Sequence, residues 1–155
     1  MTTVATAEAT YVDPSALLTL YIHEPESAPM SVWRTRTKGT LAVTHHGRVE
    51  IINGICLAAF RQYITAEAMG DALVSFQEDF DEGRYFQADL LWRAALKRAG
   101  DLSRKHTSSL GCRSLDVLHV ASALELEMKS FLTFDRRQRS LATAAGLKPI
   151  VLGKK

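Results

Sequence analysis

The stretch R-S-L-D-V-L-H-V-A-S-A-L-E-L-E-M-K-S-F-L-T-F-D, residues 113–135, decides the fold of this chain. Its pattern predicts one helix followed by one buried strand. Asp116 falls in the first helical turn after a Ser114 cap, and Asp135 closes the strand. Taken singly, an acid in a first turn favours the helix dipole, and an aspartate after a strand is often a turn former. The same two contexts recur earlier in the chain with further acids, and this repetition favours a functional site.

The composition indicates one ordinary globular domain. The chain has 155 residues with a net charge of +2, a mild excess that does not by itself indicate a nucleic-acid partner. Cys56 and Cys112 lack C-x-x-C spacing, which favours reduced thiols in a cytoplasmic protein. The chain has no apolar run of about 18 residues, so we expect no membrane span. Residues 1–9 lack the features of a secretory signal, and we expect a flexible tail there before a single domain over residues 10–155.

Strands and helices alternate from residue 10 onward. T-Y-V-D predicts a strand that ends on Asp13, and Pro14 opens a helix. The strand L-A-V-T, at residues 41–44, precedes a helix that we expect to carry Glu50 in its first turn. The residues expected to form the core face of that helix are Val49, Ile52, Cys56, Ala59 and Tyr63.

The remaining segments continue the alternation. Helices are predicted from Pro29 to Arg36, after a Thr65 cap, over residues 90–109 and after Asp135. Strands are predicted at residues 85–89 and 148–152. Alternation of this kind implies right-handed crossovers between parallel strands. We therefore expect a three-layer α/β/α fold with a mainly parallel sheet and helices on both faces.

Four acids are expected at one edge of this sheet. Asp13 and Asp135 follow strands, Glu50 begins the helix after the second strand, and Asp116 joins them if the loop before its helix returns to that edge. Ligands of such sheets bind at the carboxyl ends of the strands. Clustered carboxylates raise one another's pKa values unless a cation lies between them, and oxygen ligands favour Mg²⁺ or Mn²⁺. Such an ion activates water for attack on a phosphodiester, so the pattern predicts metal-dependent hydrolysis.

Four segments in order resemble the PIN-domain nucleases, and more closely the VapC-type ribonuclease toxins of toxin–antitoxin pairs. They are Y-V-D-P-S-A-L-L-T-L-Y from residue 11, R-V-E-I-I-N from 48, R-S-L-D-V-L-H-V-A-S-A-L from 113 and F-L-T-F-D-R-R-Q from 131. The resemblance implies a PIN-like fold and a metal-dependent endoribonuclease. Its catalytic and metal-binding acids would be Asp13, Glu50, Asp116 and Asp135. Ser15 would lie near the first acid and Thr133 beside the site.

The same resemblance implies partners. A small antitoxin would lay its tail across the active-site groove, and the toxin would be a homodimer acting on RNA. The alternative function is a PIN-like binding module that grips RNA or a protein without turnover. Four clustered carboxylates without a metal would cost stability, and this favours the enzyme. A dehalogenase-type phosphatase fits less well, because it needs a second aspartate where Ser15 stands.

Arginines flank the last two acids. Arg113 precedes Asp116 by three residues, and Arg136 and Arg137 follow Asp135 directly. The guanidinium group suits bidentate phosphate contacts, so these arginines are candidates for binding RNA. A weak surface salt bridge and a solvated helix face are the alternatives.

Three histidines have more than one interpretation. His45 and His46 lie just before Glu50 without H-E-x-x-H spacing, which favours a loop or capping role over a zinc site. His119 lies one turn after Asp116. It either orients that acid, acts as a base, or packs in the core.

Overall fold

The computed structural model describes residues 5–153, in which helices and strands alternate as predicted. The elements are β1 (Thr10–Val12), α1 (Pro14–Leu18), α2 (Ser27–Arg36), β2 (Leu41–Thr44), α3 (His45–Phe60), α4 (Ala66–Asp81), β3 (Tyr85–Ala88), α5 (Trp92–Leu102), α6 (Ser108–Leu110), α7 (Ser114–Glu125), β4 (Ser130–Leu132), α8 (Arg136–Ala144) and β5 (Lys148–Ile150). A π-helical segment, Ser103–Thr107, joins α5 to α6 where one continuous helix was expected.

Every paired strand runs parallel to its neighbour. β4 lies between β1 and β5, and β2 pairs with β3. The two sheets meet where β1 contacts β2. The predicted three-layer α/β/α fold with a mainly parallel sheet is confirmed. Because β1 and β4 run parallel, the residues that follow these two strands emerge at the same edge.

The sheet separates two hydrophobic clusters. In β1 and β4 successive side chains point to opposite faces, so Tyr11 and Phe131 join one cluster while Val12 and Leu132 join the other. All four of these residues are buried, as expected for strands covered on both faces. This burial fixes the register of the two strands that precede Asp13 and Asp135.

The expected core face of α3 is wrong. Ile51, Ile55 and Ala58 are buried, whereas Val49 is 64% exposed and Tyr63 is 74% exposed. The helix carries apolar residues on all of its sides, so their spacing alone does not identify which face is buried. The rotation is set by the first turn, which begins at His45 and not at residue 48. Glu50 consequently lies in the second turn, not the first.

This rotation leaves an apolar surface on the outside of α3. We call it the α3 stripe and define it as the exposed side chains of Val49, Ile52 and Phe60. Single exposed apolar residues are ordinary, but a row at helical spacing is typical of an interaction surface.

Two boundaries also differ from expectation. Arg113 is the N-cap of α7, and Ser114 is the first helical residue, so the predicted Ser114 cap is displaced by one position. Residues 1–4 of the expected tail lie outside the described residues. In the described part of that tail, Ala7 is buried and a Glu8 carboxylate oxygen accepts from the Thr40 backbone at 2.8 Å, so residues 7–9 pack on the domain. None of the helices within residues 5–153 is long and apolar enough to cross a membrane.

Candidate active site

The four predicted acids line one cleft. We call it the acidic cleft; it has a volume of about 530 Å³ and lies at the carboxyl edge of the sheet. Its lining residues are Asp13, Ser15, Glu50, Arg113, Ser114, Leu115, Asp116 and Asp135. Asp116 reaches the cleft because α6 ends at Gly111, whose φ of 71° turns the chain back toward this edge. The loop before α7 therefore makes the return that the sequence prediction required.

Asp13 is held by three donors. Its Oδ2 atom accepts from the Ser15 backbone N–H at 3.1 Å and from the Ser15 hydroxyl. These bonds cap the N-terminus of α1. Its Oδ1 atom accepts from Gln138 Nε2 at 2.9 Å. The side chain is buried, so these bonds leave it little freedom to turn.

Gln138 connects three of the acids, and the sequence analysis missed it. Its fully buried amide donates to Asp13 and, at 3.3 Å, to the backbone carbonyl of Asp116. Its backbone N–H donates to Asp135 Oδ1 at 2.9 Å. The D-x-x-Q spacing of residues 135–138 is that of a capping box and so draws attention to Gln138. In a capping box, however, the glutamine side chain would accept a hydrogen bond from the Asp135 backbone N–H. Here Thr133 Oγ1 accepts the hydrogen bond from the Asp135 N–H at 3.1 Å. The side-chain amide of Gln138 is therefore available to donate to Asp13.

Asp135 caps α8 and also lines the acidic cleft, three residues beyond the end of β4. Thr133 is buried beside it, and its carbonyl accepts from Arg139 Nη2 at 2.9 Å. Arg139 therefore stabilises the turn between β4 and α8.

The electrostatic environment of the cleft changes the pKa of Asp116. Burial, followed by the negative charges of Asp13 and Asp135, raises the pKa of Asp116 above its ordinary value. Arg113 opposes this effect weakly, since its Nε atom is 3.8 Å from Asp116 Oδ2 and its side chain is exposed. Like charges that disfavour ionisation in this way are relieved by a bound cation.

Oxygen donors of this kind fit a hard divalent cation. Within residues 5–153, however, no group of three or more His, Cys, Asp or Glu side chains is arranged as a complete ligand set. Asp13 and Glu50 each have an oxygen that accepts a hydrogen bond from, or lies against, a protein side chain. Mg²⁺ retains several waters and needs only one or two direct carboxylates. The cleft therefore fits an ion that binds some of these acids through water.

Glu50 has an unexpected partner. Its Oε1 atom is 2.5 Å from Nε2 of His119, and the other ring nitrogen of His119 is 2.7 Å from the Tyr11 hydroxyl. His119 is buried and bonds Glu50 and Tyr11, which agrees with the alternative that it packs in the core and not with the alternative that it orients Asp116. The residues in contact lie on β1, α3 and α7, and no local pattern in the sequence joins them.

The two histidines of α3 have different surroundings. His45 is exposed and pairs with Asp89 at 2.9 Å. His46 stacks on His119 with ring centroids 4.6 Å apart, and Trp92 packs edge-on against its ring. Burial, together with the nearby His119, lowers the pKa of His46 to about 4, so His46 is neutral at physiological pH. Neither residue is a cap, because Thr44 caps this helix.

The predicted RNA-binding arginines line a second cavity. It has a volume of about 470 Å³ and is lined in part by Arg113, Arg136 and Arg137. Arg113, Asp116 and Asp135 line both this cavity and the acidic cleft, so the two are continuous. A strip of positive charge therefore borders the four carboxylates.

A family model matches most of the chain. The family model described as PIN domain matches residues 10–144. The matched region begins with β1 and ends with α8, so it contains all four acids, His119 and Gln138. No curated protein matches the chain.

Proposed function

Because this chain belongs to the PIN domain family, whose members are generally nucleases that use divalent metal ions, we propose that it is a metal-dependent endoribonuclease. The observation that carries the proposal is the acidic cleft, in which four carboxylates face an arginine-lined cavity. Acids alone would repel a phosphodiester, and arginines alone would bind it without cleavage. Their combination suits a polyanionic substrate held beside a cation.

The four acids would hold Mg²⁺ or Mn²⁺. Asp13 and Asp116 are our choice for direct ligation, because one is rigidly held and the other has the raised pKa. Glu50 and Asp135 would bind through water or orient the attacking water. When bound, the ion supplies Lewis-acid activation of water and neutralises charge on the phosphate.

The other named residues would assist this arrangement. Ser15 orients Asp13, and Thr133 holds the turn that presents Asp135. Arg113, Arg136 and Arg137 would bind phosphates that flank the scissile bond. RNA is proposed over DNA on the resemblance to VapC-type ribonucleases.

Cleavage of labelled RNA and DNA by purified protein tests the proposal. We expect RNA to be cut with Mg²⁺ or Mn²⁺ and cleavage to stop on chelation. Asp116→Asn should abolish turnover while circular dichroism stays unchanged. Asp71→Asn, at an exposed acid on α4, is the matched control and should cut normally. Persistent cleavage by Asp116→Asn would show that the activity comes from elsewhere.

The rival proposal is a binding module without turnover. The absence of a complete ligand set within residues 5–153 is the observation that favours it. Calorimetric titration with Mg²⁺ separates the two proposals. Heat of binding that disappears in Asp13→Ala favours the enzyme, whereas RNA binding without any metal heat favours the module.

We also propose that the protein is the toxin of a toxin–antitoxin pair and acts in the cytoplasm. A largely apolar cavity of about 490 Å³, lined in part by Leu18, Ile22, Leu57 and Ile64, is a suitable seat for an antitoxin segment. The two cysteines are free thiols, in keeping with a reducing compartment. A small protein encoded beside this chain should co-purify with it and inhibit cleavage, and failure to do either would leave a solitary nuclease.

The α3 stripe supports the proposal of a homodimer. A second copy would cover Val49, Ile52 and Phe60, which are otherwise exposed. Light scattering should give twice the chain mass for the wild type and one chain mass for Phe60→Asp. A monomeric wild type would refute the dimer without affecting the nuclease.

A further inference from the structure

His119 is a fully enclosed polar group in the interior of the domain. Its side chain is 1% exposed, yet one ring nitrogen meets a carboxylate of the acidic cleft. Nδ1 faces the Tyr11 hydroxyl at 2.7 Å, and Nε2 faces Glu50 Oε1 at 2.5 Å. The three side chains therefore form a continuous chain of hydrogen bonds from β1 to the cleft.

Which atom donates in each of these hydrogen bonds follows from the chemistry of the two end groups, the Tyr11 hydroxyl and the Glu50 carboxylate. A tyrosine hydroxyl carries its proton at neutral pH, and the buried Tyr11 O–H faces His119 Nδ1 at 2.7 Å as a donor. In the imidazole tautomer whose Nδ1 accepts this bond, the proton lies on Nε2. That N–H then donates to Glu50 Oε1. The tautomer is thus fixed by the tyrosine and not by the carboxylate alone.

Packing holds the two inner rings in place. Tyr11 stacks on Phe131 with centroids 5.4 Å apart and an interplanar angle of 5°. His119 stacks on His46, which Trp92 covers in turn. Glu50, in contrast, is 33% exposed and has a long side chain that would otherwise sample several rotamers.

We infer that Tyr11 and His119 form a positioning pair that fixes Glu50 in the acidic cleft and leaves Oε2 as its free oxygen. The inference rests on the proposed metal-dependent function, which it deepens. Carboxylates at metal sites are commonly oriented by outer hydrogen bonds, and loss of such a partner costs roughly 10- to 100-fold in metal affinity or activity. Neither Tyr11 nor His119 lines the cleft, so both act through Glu50.

Four variants test the pair by Mg²⁺ calorimetry without RNA. His119→Leu removes both bonds and should weaken Mg²⁺ binding roughly 10- to 100-fold. His119→Gln keeps an amide N–H and should recover most of that loss. Tyr11→Phe retains the ring on Phe131 and should weaken binding less than His119→Leu. Tyr85→Phe is the matched control, because it removes another buried hydroxyl, which accepts from Tyr21 at 2.7 Å, and it should bind Mg²⁺ normally.

Nitrogen-15 NMR of the metal-free protein at neutral pH gives a second readout. We expect the His119 proton on Nε2 in the wild type and a mixture of tautomers in Tyr11→Phe. A proton on Nδ1 in the wild type, or Mg²⁺ affinity unchanged in both Tyr11→Phe and His119→Leu, would overturn the inference. If His119→Leu does not fold, Tyr11→Phe decides. A wild type that neither binds Mg²⁺ nor cleaves RNA would instead overturn the proposed function.

Discussion

Replacing Gln138 by leucine should destabilise the protein through the acidic cleft. The substitution keeps side-chain size but removes the amide that donates to Asp13 at 2.9 Å and to the Asp116 carbonyl at 3.3 Å. Both acceptors then remain without this donor in a region that water reaches poorly, because Gln138 is fully buried and Asp13 nearly so.

The expected size follows from these bonds. A hydrogen bond to a charged group contributes about 1.5–3 kcal/mol, and the longer bond to the carbonyl contributes about 0.5–1 kcal/mol. Gln138 Oε1 is buried and has no hydrogen-bond partner within the described chain, so its removal offsets part of the loss. We therefore expect a net destabilisation of about 1–3 kcal/mol. In a domain of this size, that lowers the Tm by about 2–12 °C.

Thermal unfolding in chelator at pH 7, followed by circular dichroism, measures this change. Gln77→Leu is the matched control, since Gln77 is exposed on α4 and its amide also donates to an aspartate, Asp81, at 3.0 Å. The control should stay within about 0.5 kcal/mol of the wild type. RNA cleavage should fall only in Gln138→Leu, because Asp13 lines the acidic cleft and Asp81 does not. Equal Tm values for both variants and the wild type would refute the reasoning.

Three further predictions concern charge and packing. Asp116→Asn should raise the Tm in chelator at pH 7, because the raised pKa of Asp116 means that its ionised form destabilises the folded state. Differential scanning fluorimetry should also show Mg²⁺ at about 100 times its Kd stabilising the wild type by about 2.7 kcal/mol, and the variant much less. His46 has a folded-state pKa of about 4, below its unfolded value, so the unfolded chain takes up the proton first. The wild type should therefore lose stability in urea as the pH falls from about 6.5 toward 4, and His46→Phe should lose less. Gly47→Ala should cost about 1–3 kcal/mol in urea unfolding, because its Cβ would lie 2.9 Å from Thr44 Oγ1 and 3.2 Å from Pro14 Cγ. Gly70→Ala, whose Cβ would meet nothing within 4 Å, should be neutral or stabilising.

The order of elements and the convergence of the acids could be predicted from sequence for a simple reason. Parallel strands place their carboxyl ends together, so a residue such as Asp13 is located by its strand alone. Asp116 lies at this edge only because the chain turns back at Gly111. The sequence showed that such a turn was required but not that it occurs.

The rotation of α3 could not be predicted, because apolar residues occur on all sides of that helix. A tertiary contact that bears on its orientation is that of Gly47 with Pro14, because a Cβ at position 47 would lie 3.2 Å from Pro14 Cγ. The same is true of His119 and Glu50, which are 69 positions apart in the chain. Side chains that meet across three elements leave no periodic pattern in any one of them.

The helix caps of this cleft have an evolutionary consequence. Asp13 and Asp135 each bond a backbone N–H at the start of a helix while facing the cleft. Asparagine satisfies such an N–H about as well as aspartate does, and a single nucleotide change converts one codon into the other. A lineage can therefore lose a charge that the proposed catalysis requires and still retain its helix starts. If the proposed function is correct, a folded variant without that activity lies one mutational step from this chain.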